Sequence, residues 1–175
     1  MNDLQRLIRA IDFAAKKHRD QRRKDAEATP YINHPIQLAA LLIEHVEAED
    51  LSIVIAAILH DTIEDTTATP EELETVFGRQ ISNIVMEVTD DTSLPKEVRK
   101  QSQIDHAGGS SYPARLVKLA DKICNLRDMH EHPPATWSLE RKRAYYDWAR
   151  EVIDRLRGTH EELEALFDAE YDRRP

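Results

Sequence analysis

A chain of 175 residues is long enough to bury a hydrophobic core without disulfides or a structural zinc. Hydrophobic residues make up 41% and charged residues 33%, with only 4 Gly, a balance that favours helices over a turn-rich β-sandwich. The formal charge of -9 disfavours a general nucleic-acid binder, which needs excess Lys and Arg against phosphates, and no apolar run approaches the roughly 20 residues that span a bilayer.

Leu4, Leu7, Ile8, Ile11, Ala14 and Ala15 recur at helical spacing and predict a first amphipathic helix that runs to about His18. A basic cluster follows, Arg19, Arg22, Arg23 and Lys24. In the segment from Thr29 to Pro35 two prolines force extended backbone, and a second helix is expected from about Pro35 or Ile36, with His34 at its mouth. That helix uses Ile36, Leu38, Ala39, Leu41, Leu42 and Val46 and frays in the acidic stretch Glu47 to Asp50. The third, from about Ser52 to Asp61, is apolar on nearly every face, which predicts a central position among other helices. Its polar end, His60-Asp61, is therefore conspicuous.

Thr69-Pro70-Glu71-Glu72 predicts a helix start with Thr69 as cap and Glu72 reaching back, and Gly78 ends that helix. Ile81, Ile84, Val85 and Val88 mark a short helix. The polar stretch from Ser93 to Ser110, basic at Lys96, Arg99 and Lys100, reads as a helix or lid between mobile joints. From Pro113 one long apolar helix carries Asp121 and Asn125 four residues apart on one face. Spacing alone equally allows Asp121 to be a plain ion-pair partner of Lys118 or Lys122. Pro133-Pro134 make a rigid turn, Ser138 caps the next helix, and Thr159-x-x-Glu162 reads as a capping box for the last. No linker divides the chain, so one all-α domain over residues 4–170 is expected, a bundle of about 8 to 10 helices around the central apolar one.

The single Cys124 forms no intramolecular disulfide and reads as a small buried hydrophobe. With no signal peptide at the N-terminus, a cytoplasmic protein is expected. The chemistry concentrates in His60-Asp61-Thr62-Ile63-Glu64-Asp65. At about 100° per residue, Glu64 and Asp65 fall one turn beyond His60 and Asp61, and three carboxylates so close repel unless a cation lies among them. With His34 and Asp121 the candidates form a two-histidine, two-aspartate set. Imidazole with carboxylate and no thiolate suits Mn²⁺, Fe²⁺ or Zn²⁺ better than Ca²⁺ or Mg²⁺.

His34, the adjacent pair His60-Asp61, and Asp121 in this order resemble the signature of the HD-domain phosphohydrolases. The flanks narrow the likeness. Arg22-Arg23-Lys24-Asp25, Thr29-Pro30-Tyr31-Ile32-Asn33-His34-Pro35, Leu59 through Thr66, Glu87-Val88-Thr89-Asp90-Asp91, and Leu116 through Lys122 with Asn125 to Asp128 resemble the hydrolase domain of RelA/SpoT proteins. More narrowly they resemble the stand-alone small alarmone hydrolases, the group that includes the metazoan SpoT homologue.

The resemblance implies an all-helical HD fold that removes pyrophosphate from the 3′ position of guanosine tetra- or pentaphosphate with one Mn²⁺ per chain. By motif, His34, His60, Asp61 and Asp121 would hold the metal, Glu64 and Asp65 would orient or deprotonate the water, and Arg23 and Asn125 would shape the site. Lys24, Lys96, Arg99 and Lys100 are candidates to neutralise the two diphosphates, and Tyr145 to stack on the base. No synthetase or regulatory domain is expected. Two other readings stand beside this one. The first is a phosphatase acting on another nucleotide, such as the 2′-phosphate of NADPH. The second is an HD module that senses nucleotides without turnover.

Overall fold

The computed structural model describes residues 2–46 and 51–175, and the expected fraying over Glu47 to Asp50 lies outside them. Ten helices and no strand occur among the described residues: α1 Asp3–Lys17, α2 Asn33–His45, α3 Ser52–Leu59, α4 Thr62–Asp65, α5 Pro70–Phe77, α6 Arg79–Val88, α7 Lys96–Ala107, α8 Tyr112–Glu131, α9 Leu139–Asp154 and α10 Glu161–Tyr171. The all-α expectation holds.

Helix α3 packs against α1, α2, α6 and α8, and every residue from Val54 to Leu59 is buried. This is the central apolar helix expected from its composition. Each large side chain it removes from water, such as Ile55 or Leu59, contributes about 1.5–3 kcal/mol. The price of centrality is that whatever ends α3 ends inside the protein. The helix stops at Leu59, two residues short of the expected end, because Asp61 leaves the helical region at φ −98°, ψ 1°. Thr62 Oγ1 takes up the Leu59 carbonyl at 2.6 Å, and α4 begins. The polar hexapeptide therefore straddles a kink.

Helix α2 starts at Asn33, before Pro35, so His34 lies inside the first turn. Pro35 is tolerated there because an N–H in the first turn has no helical partner to lose. Between α1 and α2 the chain forms a small closed loop, with an isolated bridge joining Arg22 to Pro30. Arg23 N donates to Thr29 O at 2.8 Å and Tyr31 N to Gln21 O at 3.1 Å. Asp25 braces the tip by accepting from Thr29 N and Oγ1.

Two capping details differ from expectation. Thr69 caps α5 as predicted, but Glu72 turns away to pair with Lys17 at 2.7 Å. At α10 the cap is His160 rather than Thr159, so Glu164 accepts from the N–H groups of both Thr159 and His160. Glu162, displaced from that role, meets His45 at 2.8 Å. Gly78 both ends α5 and precedes α6 at φ +93°, a left-handed backbone that favours glycine.

Candidate metal and phosphate site

The start of α2, the kink after α3 and the middle of α8 converge on one point. One donor atom from each of His34, His60 and Asp121 lies within 4.8 Å of the others, a group that could hold a metal ion. His34 Nε2 is 3.1 Å from Asp121 Oδ1. His60 Nδ1 donates to the Ala57 carbonyl at 2.8 Å, which turns Nε2 inward. There Nε2 sits 2.8 Å from Asp61 Oδ2 and 3.9 Å from Asp121 Oδ1. Neither His60 Nε2 nor His34 Nδ1, both buried, makes a hydrogen bond among the described residues.

A buried imidazole nitrogen pressed against two carboxylates requires a cation between them. Protonation is one answer: burial lowers the His60 pKa, but Asp61 and Asp121 outweigh it and push it up to about 9. Burial holds His34 below the usual imidazole range, although its bond to Asp121 pulls the other way. Two nitrogens with carboxylate oxygens and no sulfur form a donor set that fits a divalent metal in place of the proton.

Further side chains position these groups. The Tyr31 hydroxyl donates to Asp61 Oδ2. Asp121 accepts from Asn125 Nδ2 at 2.6 Å on Oδ1 and meets Lys122 Nζ at 2.9 Å on Oδ2. Lys122 thus takes one Asp121 oxygen, the pairing that spacing allowed, while the histidines face the other. Arg23 bonds Asn125 Oδ1 at 3.1 Å and Asp128 Oδ2 at 2.5 Å, completing a chain from the α1–α2 loop to Asp121.

Glu64 and Asp65 stand beside the cluster with different surroundings. Glu64 accepts from Asp90 N at 2.9 Å, and Arg99 Nη1 is 3.6 Å away. Burial, then the charges of Asp61, Asp90 and Asp65, push its pKa up to about 7 despite that bond. Asp65 is raised as well, by desolvation and Asp61, and accepts from Gln21 Nε2 at 2.8 Å. A carboxylate poised near neutrality beside a cation site is suited to accept a proton from water.

A cavity of about 300 Å³ lies over the cluster and is lined by His60, Asp61, Glu64, Lys118, Asp121 and their neighbours. It adjoins a larger one of about 570 Å³, with Arg23, Lys24, Tyr31, His34, Asn125 and Tyr145 among the residues lining both. Trp137 lines the outer lobe, 5.8 Å from the Tyr145 ring. Of the residues expected to hold substrate, Arg23, Lys24, Asn125 and Tyr145 line both lobes, whereas Lys96, Arg99 and Lys100 line neither. Arg99 faces Glu64, and Lys100 Nζ lies over Trp148, 5.5 Å from the ring centre. Lys96 loses basicity through desolvation and through repulsion from Lys100, Arg141 and Lys24. Sequence reasoning missed Tyr31 and Gln21, and read Lys118 only as a partner for Asp121.

The HD domain family model matches residues 10–145. A relative from Danio rerio, guanosine-3′,5′-bis(diphosphate) 3′-pyrophosphohydrolase MESH1, is 51% identical over 92% of this chain and 92% of its own. The chain belongs to the HD domain family and, within it, to the MESH1 group. The Homo sapiens MESH1 protein is also 51% identical, over 90% of this chain and 88% of its own. A solved structure described as a metazoan ortholog of SpoT that hydrolyzes ppGpp superposes with a TM-score of 0.93, at 44% identity, covering 97% of this chain and 95% of that one. The family inferred from the HD and RelA/SpoT-like motifs is therefore the family found, and no described helix is long and apolar enough to cross a membrane.

Proposed function

We propose that this protein hydrolyses guanosine 3′,5′-bis(diphosphate) and its pentaphosphate analogue to pyrophosphate and GDP or GTP. The observation that carries the reading is the cluster of His34, His60 and Asp121 donors within 4.8 Å beside Glu64, whose pKa is pushed up to about 7. The MESH1 relatives carry this activity in their name. A divalent cation held by His34, His60, Asp61 and Asp121, in our reading one Mn²⁺ per chain, would supply Lewis acidity toward a phosphoryl oxygen and toward water. Glu64 takes a proton from the attacking water while Asp65 orients it. The water oxygen bonds to the phosphorus attached at the ribose 3′ oxygen, the P–O3′ bond breaks, and the released 3′ oxygen gains a proton from solvent.

The outer lobe suits the nucleoside. Tyr145 and Trp137 offer aromatic faces for a base, and Lys24, which lines both lobes, offers charge to the 5′-diphosphate. A cytoplasmic setting fits a free buried thiol. The test is incubation with Mn²⁺ and ppGpp, with products resolved by anion-exchange chromatography. GDP and pyrophosphate in equal amounts are expected. No pyrophosphate from metal-loaded protein refutes the reading, and His60→Ala should abolish both turnover and bound metal.

A further inference from the structure

Lys118 and Lys122 lie one turn apart on α8, and both are buried, at 8% and 4% exposure. Two ammonium groups so placed repel, and each costs several kcal/mol to bury unpaired. Lys122 is compensated by Asp121 Oδ2 at 2.9 Å and by the Trp148 ring, 4.6 Å away. Lys118 is not. Among the described residues it makes no hydrogen bond and no ion pair, although it lines the inner lobe beside His60, Asp61 and Glu64. The charged groups that act on it are Lys122 and Asp121 on its own helix, Asp90 after α6, and Glu64 on α4. The carboxylates are already engaged: Asp90 accepts from Gln103 Nε2 at 2.6 Å, Glu64 from Asp90 N, and Asp121 from Asn125 and Lys122.

A buried cation that faces a cavity with no partner of its own is complementary to an anion that enters the cavity. Position decides which part of the anion. Lys24 lies at the junction of the two lobes, whereas Lys118 and Lys122 line only the inner one, and of these two Lys122 is already paired with Asp121. We propose that Lys118 grips the non-bridging oxygens of the 3′-pyrophosphate, holding the group that departs as pyrophosphate and making this lysine a substrate-contacting catalytic residue. The inference rests on the hydrolase reading for its substrate, but it requires only that a pyrophosphate group occupy the inner lobe.

Its test therefore uses inorganic pyrophosphate as the probe. Binding to Mn²⁺-loaded protein is measured by calorimetry for the wild type, Lys118→Met and Lys118→Arg, with bound Mn²⁺ read by elemental analysis after dialysis. Lys118→Met should weaken pyrophosphate binding about tenfold or more at unchanged metal content, and Lys118→Arg should restore most of it. Binding by Lys118→Met within about twofold of wild type overturns the proposal. So does a parallel loss of metal and pyrophosphate that Lys118→Arg does not repair, which assigns the lysine to structure. If Lys118→Met does not fold, Lys118→Gln is read against the same two outcomes. Failure of the wild type to cleave ppGpp would refute the hydrolase reading while leaving the pyrophosphate measurement to decide Lys118.

Discussion

Gln21 Nε2 donates to Asp65 Oδ2 at 2.8 Å, while the oxygen of the same amide accepts from His18 Nδ1 at 2.6 Å. Because an ionised carboxylate only accepts, Asp65 fixes which end of the amide faces it, and the amide oxygen left toward His18 selects the tautomer that carries a proton on Nδ1. His18 is itself buried and lies against Tyr31, with ring centroids 4.8 Å apart. The end of α1 thus orients a carboxylate beside the metal cluster. Gln21→Ala should lower kcat about tenfold, the worth of one hydrogen bond to a charged group, with KM and metal content unchanged. Wild-type kcat in that variant would remove Asp65 orientation from the account.

Tyr31 acts on Asp61 in the same manner, through its hydroxyl. Tyr31→Phe deletes that donor and keeps the ring against His18 and His34. Loss of such an outer partner weakens metal binding by about 10–100-fold, so the variant should lose Mn²⁺ to a chelator at lower chelator concentration than wild type. Equal retention would mean that His60 alone holds Asp61 in place.

The proton-accepting role of Glu64 fixes the sign of the pH dependence. A base must be deprotonated to work, and burial, with the charges of Asp61, Asp90 and Asp65, raises Glu64 to about 7 while Arg99 and Lys118 face it with the opposite sign. Activity should fall as pH drops through about 7, tenfold per unit on the acid limb, and a bound cation shifts that limb downward. Glu64→Gln should abolish most turnover while retaining metal. An acid limb that persists in the residual activity of Glu64→Gln would belong to another group.

Burial pushes the Cys124 thiol up to about 12, so almost none is thiolate at pH 8. A disulfide reagent at pH 8 should leave the native protein unmodified and titrate one thiol after denaturation. Rapid modification of folded protein would contradict the packing of α8 against the core.

Ile55 is fully buried at the centre of α3. Ile55→Ala should cost about 2–5 kcal/mol and Ile55→Val about 0.5–1.5, read by chemical denaturation. Equal effects of the two would mean that the surrounding helices close the cavity.

The sequence disclosed the residues whose chemistry is unusual for their surroundings. His60-Asp61 at the end of an apolar helix and Asp121 within another are out of place unless they do something, and the structure unites them with His34. Partners whose roles depend on distant chain segments were not legible. Tyr31 reads as extended backbone ahead of a proline, yet its hydroxyl reaches Asp61, and Gln21 reads as one polar residue among basic ones. Lys96, Arg99 and Lys100 carry the right charge, but the orientation of α7 is a tertiary fact, and it directs Arg99 to Glu64. The same limit explains Glu72, which satisfies a local capping pattern and is won by Lys17 from α1.

Arg23 bridges the α1–α2 loop to Asn125 and Asp128, and through Asn125 to Asp121. Order in the loop and order at the floor of the inner lobe are therefore one thermodynamic variable. By linkage, whatever fills the metal site slows exchange of the loop amides, and whatever clamps the loop tightens the metal site by the same factor. A protease that cuts after Arg22 or Lys24 would read the occupancy of a site it never touches.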